Sequence, residues 1–123
     1  MNAILAEDDL DIQLVARLAL KRAGFIVQVV NNGQEALDAV KLATPDVILL
    51  DWMMPELDGP ETCRRLKSDP TTASIPVIFL TAKSQETEIQ RGLSLGAAGY
   101  VTKPFDALTL GQHVKDIVGK ITP

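Results

Sequence analysis

The sequence predicts an α/β fold in which five parallel strands form one sheet and crossover helices cover both of its faces. Three observations predict it. Short apolar runs alternate with longer stretches of helical period, the pattern left by parallel strands joined through helices. Gly, Pro and Asn punctuate the junctions, where chain reversals need them. The 123 residues, 46% of them hydrophobic, suffice to enclose one core and leave no length for a second, so residues 1–123 are expected to form a single domain.

The first run, Ala3 to Ala6, is aliphatic throughout, as a strand covered on both faces requires. Leu14, Val15, Leu18 and Ala19 then recur at one-sided helical spacing, which predicts a helix burying that stripe on the sheet. Gly24 closes it. The second run, Phe25 to Val30, is interrupted by Gln28 and is expected at an edge, where one polar residue reaches water. Asn32-Gly33 opens a second helix with the stripe Ala36, Leu37 and Val40, and Thr44-Pro45 closes it. Val47 to Leu50 is the most hydrophobic strand. After it, Asp58-Gly59-Pro60-Glu61 reads as a helix start: Asp58 accepts an orphan backbone N–H, Pro60 fixes φ near the first turn, and Glu61 stands three residues after the cap. Val77 to Leu80 is the fourth strand, and the helix behind it ends at Gly96. Tyr100 to Thr102 is the fifth, followed by the stripe Leu110, Val114, Ile117 and Val118. Five such units in a chain of ~120 residues favour the compact, doubly wound (βα)5 order 2-1-3-4-5, flavodoxin-like, over a full dinucleotide-binding fold. Right-handed crossovers then place helices on both faces.

Composition excludes several functions. A formal net charge of -4 gives no footing for direct nucleic-acid binding or for an anionic membrane, both of which select clustered Lys and Arg. Cys63 is the single cysteine, so no internal disulfide forms, and it reads as a small helix residue in a reducing compartment. Met1 to Leu5 is too short, and too soon followed by acids, for a signal peptide, and no apolar run approaches the ~20 residues of a membrane span. A cytoplasmic protein is the expectation.

Ligands of open parallel sheets collect beyond the carboxyl ends of the strands. Here Glu7, Asp8 and Asp9 follow the first strand, Asp51 the third, Thr81 the fourth and Lys103 the fifth. Taken singly, each also suits an ordinary role: acids and Thr81 as caps of the next turn, Lys103 as solvated surface. Together they require more, because converging carboxylates repel and raise one another's pKa unless a cation neutralises them. All-oxygen ligands point to Mg²⁺ or Mn²⁺ rather than zinc, with coordination sites left for water and an incoming phosphate. Lys103 supplies a positive charge and Thr81 a hydroxyl donor for phosphoryl oxygens. Asp51, at the end of the most hydrophobic strand, is the acceptor expected to form an aspartyl-phosphate.

With these residues the sequence resembles the receiver domains of response regulators over essentially its whole length. The resemblance rests on Ile4-Leu5-Ala6-Glu7-Asp8-Asp9, on Asp51-Trp52-Met53-Met54-Pro55-Glu56-Leu57-Asp58-Gly59, on Pro76 to Ala82 and on Lys103-Pro104-Phe105. It implies that the metal is held by Asp8, Asp51 and the Met53 backbone carbonyl, with Glu7 acting through water and Asp9 capping a helix. It implies a cis Lys103–Pro104 bond aiming the ammonium inward, and a switch in which Tyr100 answers the movement of Thr81 toward phosphate. The surface of the fourth helix, fifth strand and fifth helix then changes partner affinity. The implied donor is a histidine kinase, a histidine phosphotransfer protein or a small acyl phosphate, with kinase specificity on the first helix. The output is a downstream protein or an output domain outside this chain, and the protein is a monomer or a phosphorylation-dependent dimer. No separate substrate is turned over, so it is not an enzyme in the usual sense. Ending at Pro123 soon after the fifth helix, the chain reads as either a stand-alone regulator or a receiver cut from a longer protein.

Met53 and Lys83, two residues beyond Asp51 and Thr81, border the phosphoryl position; a lysine there either stabilises phosphate or points outward. His113, the only histidine, reads as helix surface. Three rivals share parts of the pattern. An aspartyl-nucleophile phosphatase resembles an Asp-x-Asp arrangement after its first strand, whereas Met53 stands at the second position after Asp51. A flavodoxin-like cofactor binder wants Ser, Thr and Gly after its first strand, where Glu7-Asp8-Asp9 would repel phosphate. An interaction module that is never phosphorylated would not need every chemical position filled.

Overall fold

The computed structural model describes residues 1–82 and 86–121. Strands and helices alternate: β1 (Asn2–Ala6), α1 (Leu10–Arg22), β2 (Ile26–Val30), α2 (Gly33–Leu42), β3 (Val47–Asp51), α3 (Gly59–Ser68), β4 (Val77–Ala82), α4 (Glu86–Ser94), β5 (Gly99–Lys103) and α5 (Leu110–Ile121). All strand pairs are parallel, in the order β2-β1-β3-β4-β5, as the run of βα units predicts. Gln28 lies exposed on the edge strand β2.

Alternate residues of the central strands supply two cores, because successive side chains point to opposite faces. Leu5, Leu49 and Leu80 pack on one face with Leu20 of α1 and Val114 of α5. On the other, Ile4, Leu50 and Phe79 pack with Val40 of α2 and Cys63 and Leu66 of α3. The stripe Leu110, Val114, Ile117 and Val118 of α5 is buried as its spacing predicts.

Of the stripe expected for α1, only Ala19 is buried. Leu14 is 50% exposed, Val15 43% and Leu18 51%, while Ala16, Ala19 and Leu20 are buried. The neighbouring helix selects this face: a Cβ on Gly111 of α5 would stand 2.2 Å from the Ala23 Cβ and 3.3 Å from the Ala19 carbonyl. Two helices that approach so closely need small residues between them, and the bulkier leucines rotate outward. The strand ends also differ from expectation, since β3, β4 and β5 run on through Asp51, Thr81 and Lys103. Those residues are held by ladder hydrogen bonds instead of following the strands.

Helix starts follow the sequence closely. Asp9 caps α1 by accepting from the Asp11 and Ile12 N–H groups, Asn32 caps α2 and Asp58 caps α3. Glu61 departs from the capping-box expectation, for its carboxylate pairs with Arg64 and Arg65, which hold its pKa down at about 2. Gly24 and Gly96, just beyond α1 and α4, adopt φ of 98° and 100°, the left-handed turn that glycine permits. No described helix is long and apolar enough to cross a membrane.

Candidate functional site

The carboxyl ends of β1, β3, β4 and β5 bring the predicted rim residues together. Glu7, immediately after β1, is only 1% exposed, and its N–H donates to the Val30 carbonyl at 3.1 Å. Asp51 closes β3 beside Leu80 of β4, and Thr81 pairs with Thr102 of β5. Lys103, the last residue of β5, reaches across the end of the sheet and donates at 2.7 Å to Glu7 Oε1 and at 2.8 Å to Asp51 Oδ1. The peptide bond that follows it, Lys103–Pro104, is cis. Glu7, Asp8 and Asp51 each offer an oxygen, and the three oxygens lie within 4.8 Å of one another.

The electrostatics of this cluster are unbalanced. Burial pushes the Glu7 carboxyl up to about 7 despite the Lys103 hydrogen bond, and the neighbouring Asp51 charge adds to the rise. Burial also works against the Lys103 ammonium, but the Asp51 and Glu7 carboxylates outweigh it and hold its pKa above the ordinary lysine value. Asp8 is exposed; no cation pairs with it among the described residues. Among the described residues, one ammonium therefore faces three acids. A site of hard oxygen donors with neither thiolate nor imidazole, and an excess of negative charge, fits a divalent cation of the Mg²⁺ class.

Thr81 adds a second unfilled demand. Its Oγ1 is the one buried side-chain polar atom without a hydrogen-bond partner among the described residues, a state that buried hydroxyls rarely occupy. It is a donor waiting for an acceptor at the strand end next to Asp51. Tyr100 of β5 pairs with Phe79 of β4 and is 38% exposed. Met53 is 75% exposed, whereas Met54 is buried and anchors the loop after Asp51. Lys83 lies outside the described residues. His113 is exposed on α5, and Cys63 is buried in α3, its thiol pKa raised by that burial.

Close backbone packing fixes the loop that follows Asp51. Trp52 N–H donates to Asp51 Oδ1 at 2.9 Å and to the Leu80 carbonyl at 3.2 Å. The indole stands edge-on to Phe79, centroids 5.0 Å apart, with the Arg91 guanidinium of α4 6.0 Å from it. Gly59 N–H returns to the Trp52 carbonyl at 3.1 Å, and a Cβ on Gly59 would lie 2.2 Å from the Asp51 carbonyl oxygen. Only glycine allows that approach. Gly33 ties the same loop to α2 through its N–H and the Leu57 carbonyl, 3.0 Å apart.

Sequence reasoning missed Gln13, whose side-chain amide donates to the Glu7 carbonyl and, at 2.8 Å, to Asn31 Oδ1. Its only signal in the sequence is a position one helical turn after the cap Asp9. Sequence reasoning also used Gly59 as part of a helix start without seeing that it makes room for Asp51.

A family model described as the response regulator receiver domain matches residues 3–115. The phosphate regulon transcriptional regulatory protein PhoB of Rhizobium meliloti (strain 1021) is 39% identical over 119 residues, which are 97% of this chain and 52% of that protein. The chain spans about half the length of the curated relatives it matches. Among solved structures, the signal receiver domain of a signal transduction histidine kinase from Syntrophus aciditrophicus is similar, with a TM-score of 0.87, 35% identity and coverage of 98% of this chain and 92% of that one. The chemotaxis response regulator CheY4 of Vibrio cholerae is similar too, with a TM-score of 0.87, 28% identity and coverage of 94% and 97%.

Proposed function

The chain belongs to the response regulator receiver domain family, and from that premise we propose that Asp51 accepts a phosphoryl group in a two-component phosphorelay. The observation that carries the reading is the convergence of Asp51, Lys103 and the Thr81 hydroxyl, unpartnered among the described residues, beside two further acids. A carboxylate oxygen of Asp51 attacks the phosphorus of a phosphohistidine on a histidine kinase or histidine phosphotransfer protein, or of a small acyl phosphate. The bond to the leaving group breaks as the bond to Asp51 forms, and the imidazole or carboxylate leaves. Lys103 donates to the phosphoryl oxygens from one side and the Thr81 hydroxyl from the other. Asp8, Asp51 and the Met53 carbonyl, with Glu7 through water, would hold Mg²⁺ or Mn²⁺. That ion, when bound, neutralises charge that develops on the phosphoryl oxygens. Water later hydrolyses the acyl phosphate, so the protein turns over no substrate but itself.

Drawing the Thr81 hydroxyl toward phosphate vacates space that Tyr100 takes up, which alters the surface of α4, β5 and α5. A downstream protein, or an output domain joined to this one, reads the change. The exposed Leu10, Leu14 and Leu18 of α1 suit a helical kinase surface docking there.

Intact mass after incubation with Mg²⁺ and acetyl phosphate, beside Asp51→Asn, tests the reading. We expect one phosphoryl adduct that needs the cation and is absent from the variant. An unmodified wild type, with Trp52 fluorescence unmoved by Mg²⁺ and by beryllofluoride, leaves a binding module of receiver shape.

A further inference from the structure

We propose that Gln13 is a positioning residue for the acidic turn Glu7-Asp8, held in register by Asn31 and Glu35, and that it sets the affinity for the divalent cation. The inference rests on the reading above that these acids serve such a cation.

Asp8 has no cap, ion pair or hydrogen bond to its carboxylate among the described residues, so the backbone on either side of it must fix its direction. On one side, Asp9 N–H donates to Glu7 Oε2 at 3.1 Å and the Asp9 carboxylate caps α1. On the other, the carbonyl of the Glu7–Asp8 peptide accepts from Gln13 Nε2. Gln13 is itself anchored: its second amide hydrogen goes to Asn31 Oδ1 at 2.8 Å. Asn31 is in turn tied to Glu35, whose Oε1 accepts from the Asn31 N–H at 2.9 Å and from Asn31 Nδ2 at 3.4 Å. A chain of hydrogen bonds thus runs from the first turn of α2, across the β2–α2 loop, to the peptide that orients Asp8.

The chemistry of position 13 is specific. Both partners of Nε2 are oxygens, so the site demands two N–H donors on one atom, and a carboxylate of the same shape would meet two acceptors instead. The bonds the amide makes are to the Glu7 carbonyl and to Asn31 Oδ1, not to the carboxylates of the acidic cluster. It acts through the Glu7 carbonyl, much as an outer-shell partner orients a ligand.

Mg²⁺ titrations read by Trp52 fluorescence, the only indole in the chain, test this. For Gln13→Ala and the isosteric Gln13→Glu we expect the Mg²⁺ Kd to rise on the order of tenfold, with Asn31→Ala moving it the same way. Phosphorylation by acetyl phosphate should slow at low Mg²⁺ and recover at saturating Mg²⁺. Gln112→Ala, which removes a comparable exposed bond to Asp116 on α5, should leave the Kd unchanged. A folded Gln13→Ala or Asn31→Ala whose melting temperature falls while its Mg²⁺ Kd stays at the wild-type value makes the amide a structural tie only and overturns the proposal. If wild type itself shows no Mg²⁺ response and retains no Mg²⁺ in equilibrium dialysis, the cation site is refuted, and the proposal with it.

Discussion

A buried hydroxyl with no partner costs on the order of 1–3 kcal/mol, and among the described residues Thr81 carries one beside Asp51, the proposed phosphoacceptor. Thr81→Val keeps the shape and removes the unsatisfied donor. We expect its phosphate-free form to unfold at equal or higher denaturant concentration than wild type, while its rate of adduct formation with acetyl phosphate falls. A variant both less stable and equally reactive would mean that Thr81 serves packing alone. Glu7 makes a different trade. Its folded pKa of about 7 lies above the ordinary 4.5, so the folded state binds this proton more tightly than the unfolded chain does. The stability that this group contributes is complete below pH 4.5 and is lost as pH rises through about 7. In chelator, the melting temperature of wild type should therefore fall relative to Glu7→Gln across that window. Lys103, raised from an already high value, loses its contribution only at much higher pH and does not confuse the comparison. An unchanged gap between the two proteins from pH 4.5 to 7 would remove the burial argument. The rim residues were legible because each ends or closely follows a strand whose apolar run is plain in the sequence. Gln13 was not, because its partner Asn31 is eighteen residues away, and nothing in the spacing brings them together until β2 has paired with β1.

At the scale of elements, α1 shows how periodicity finds a helix and misreads its face. Leu14, Val15, Leu18 and Ala19 form a valid one-sided stripe, but a second stripe, Ala16, Ala19, Leu20 and Ala23, lies beside it. The two differ in bulk, and the side that docks is the one that lets α5 approach at Gly111. Hydrophobicity ranks the leucines first; distance between helix axes ranks the alanines first, and the packing follows distance. Leu20→Ala is then expected to cost about 2–5 kcal/mol and Leu14→Gln no more than about 0.5 kcal/mol, both read from denaturant midpoints. A costly Leu14→Gln would return the buried face to the leucines. The same rule explains the capping glutamate: Glu61 sits where a capping box wants it, yet Arg64 and Arg65 lie on the next turn and take its carboxylate first.

Over the whole molecule, the doubly wound sheet sends every strand's carboxyl end to one rim, which is why a fold built from aliphatic runs gathers its charges in one place. The five-strand order and the rim were therefore readable together, the second following from the first. The cost is repulsion: among the described residues, Glu7, Asp8 and Asp51 share the rim with one ammonium, and that ammonium pairs with Glu7 and Asp51 while Asp8 has no ion pair. Removing the unpaired charge should help the metal-free protein and harm the loaded one. Asp8→Asn is expected to melt at or above the wild-type temperature in chelator. With Mg²⁺ at about a hundredfold excess over Kd, wild type gains about 2.7 kcal/mol by mass action, and the variant, having lost a ligand, gains much less. The two proteins thus exchange rank as Mg²⁺ is added, a pattern that general loss of packing does not produce. If Asp8→Asn lies below wild type under both conditions by the same margin, Asp8 contributes to the fold and not to a cation, and the negative rim needs another explanation.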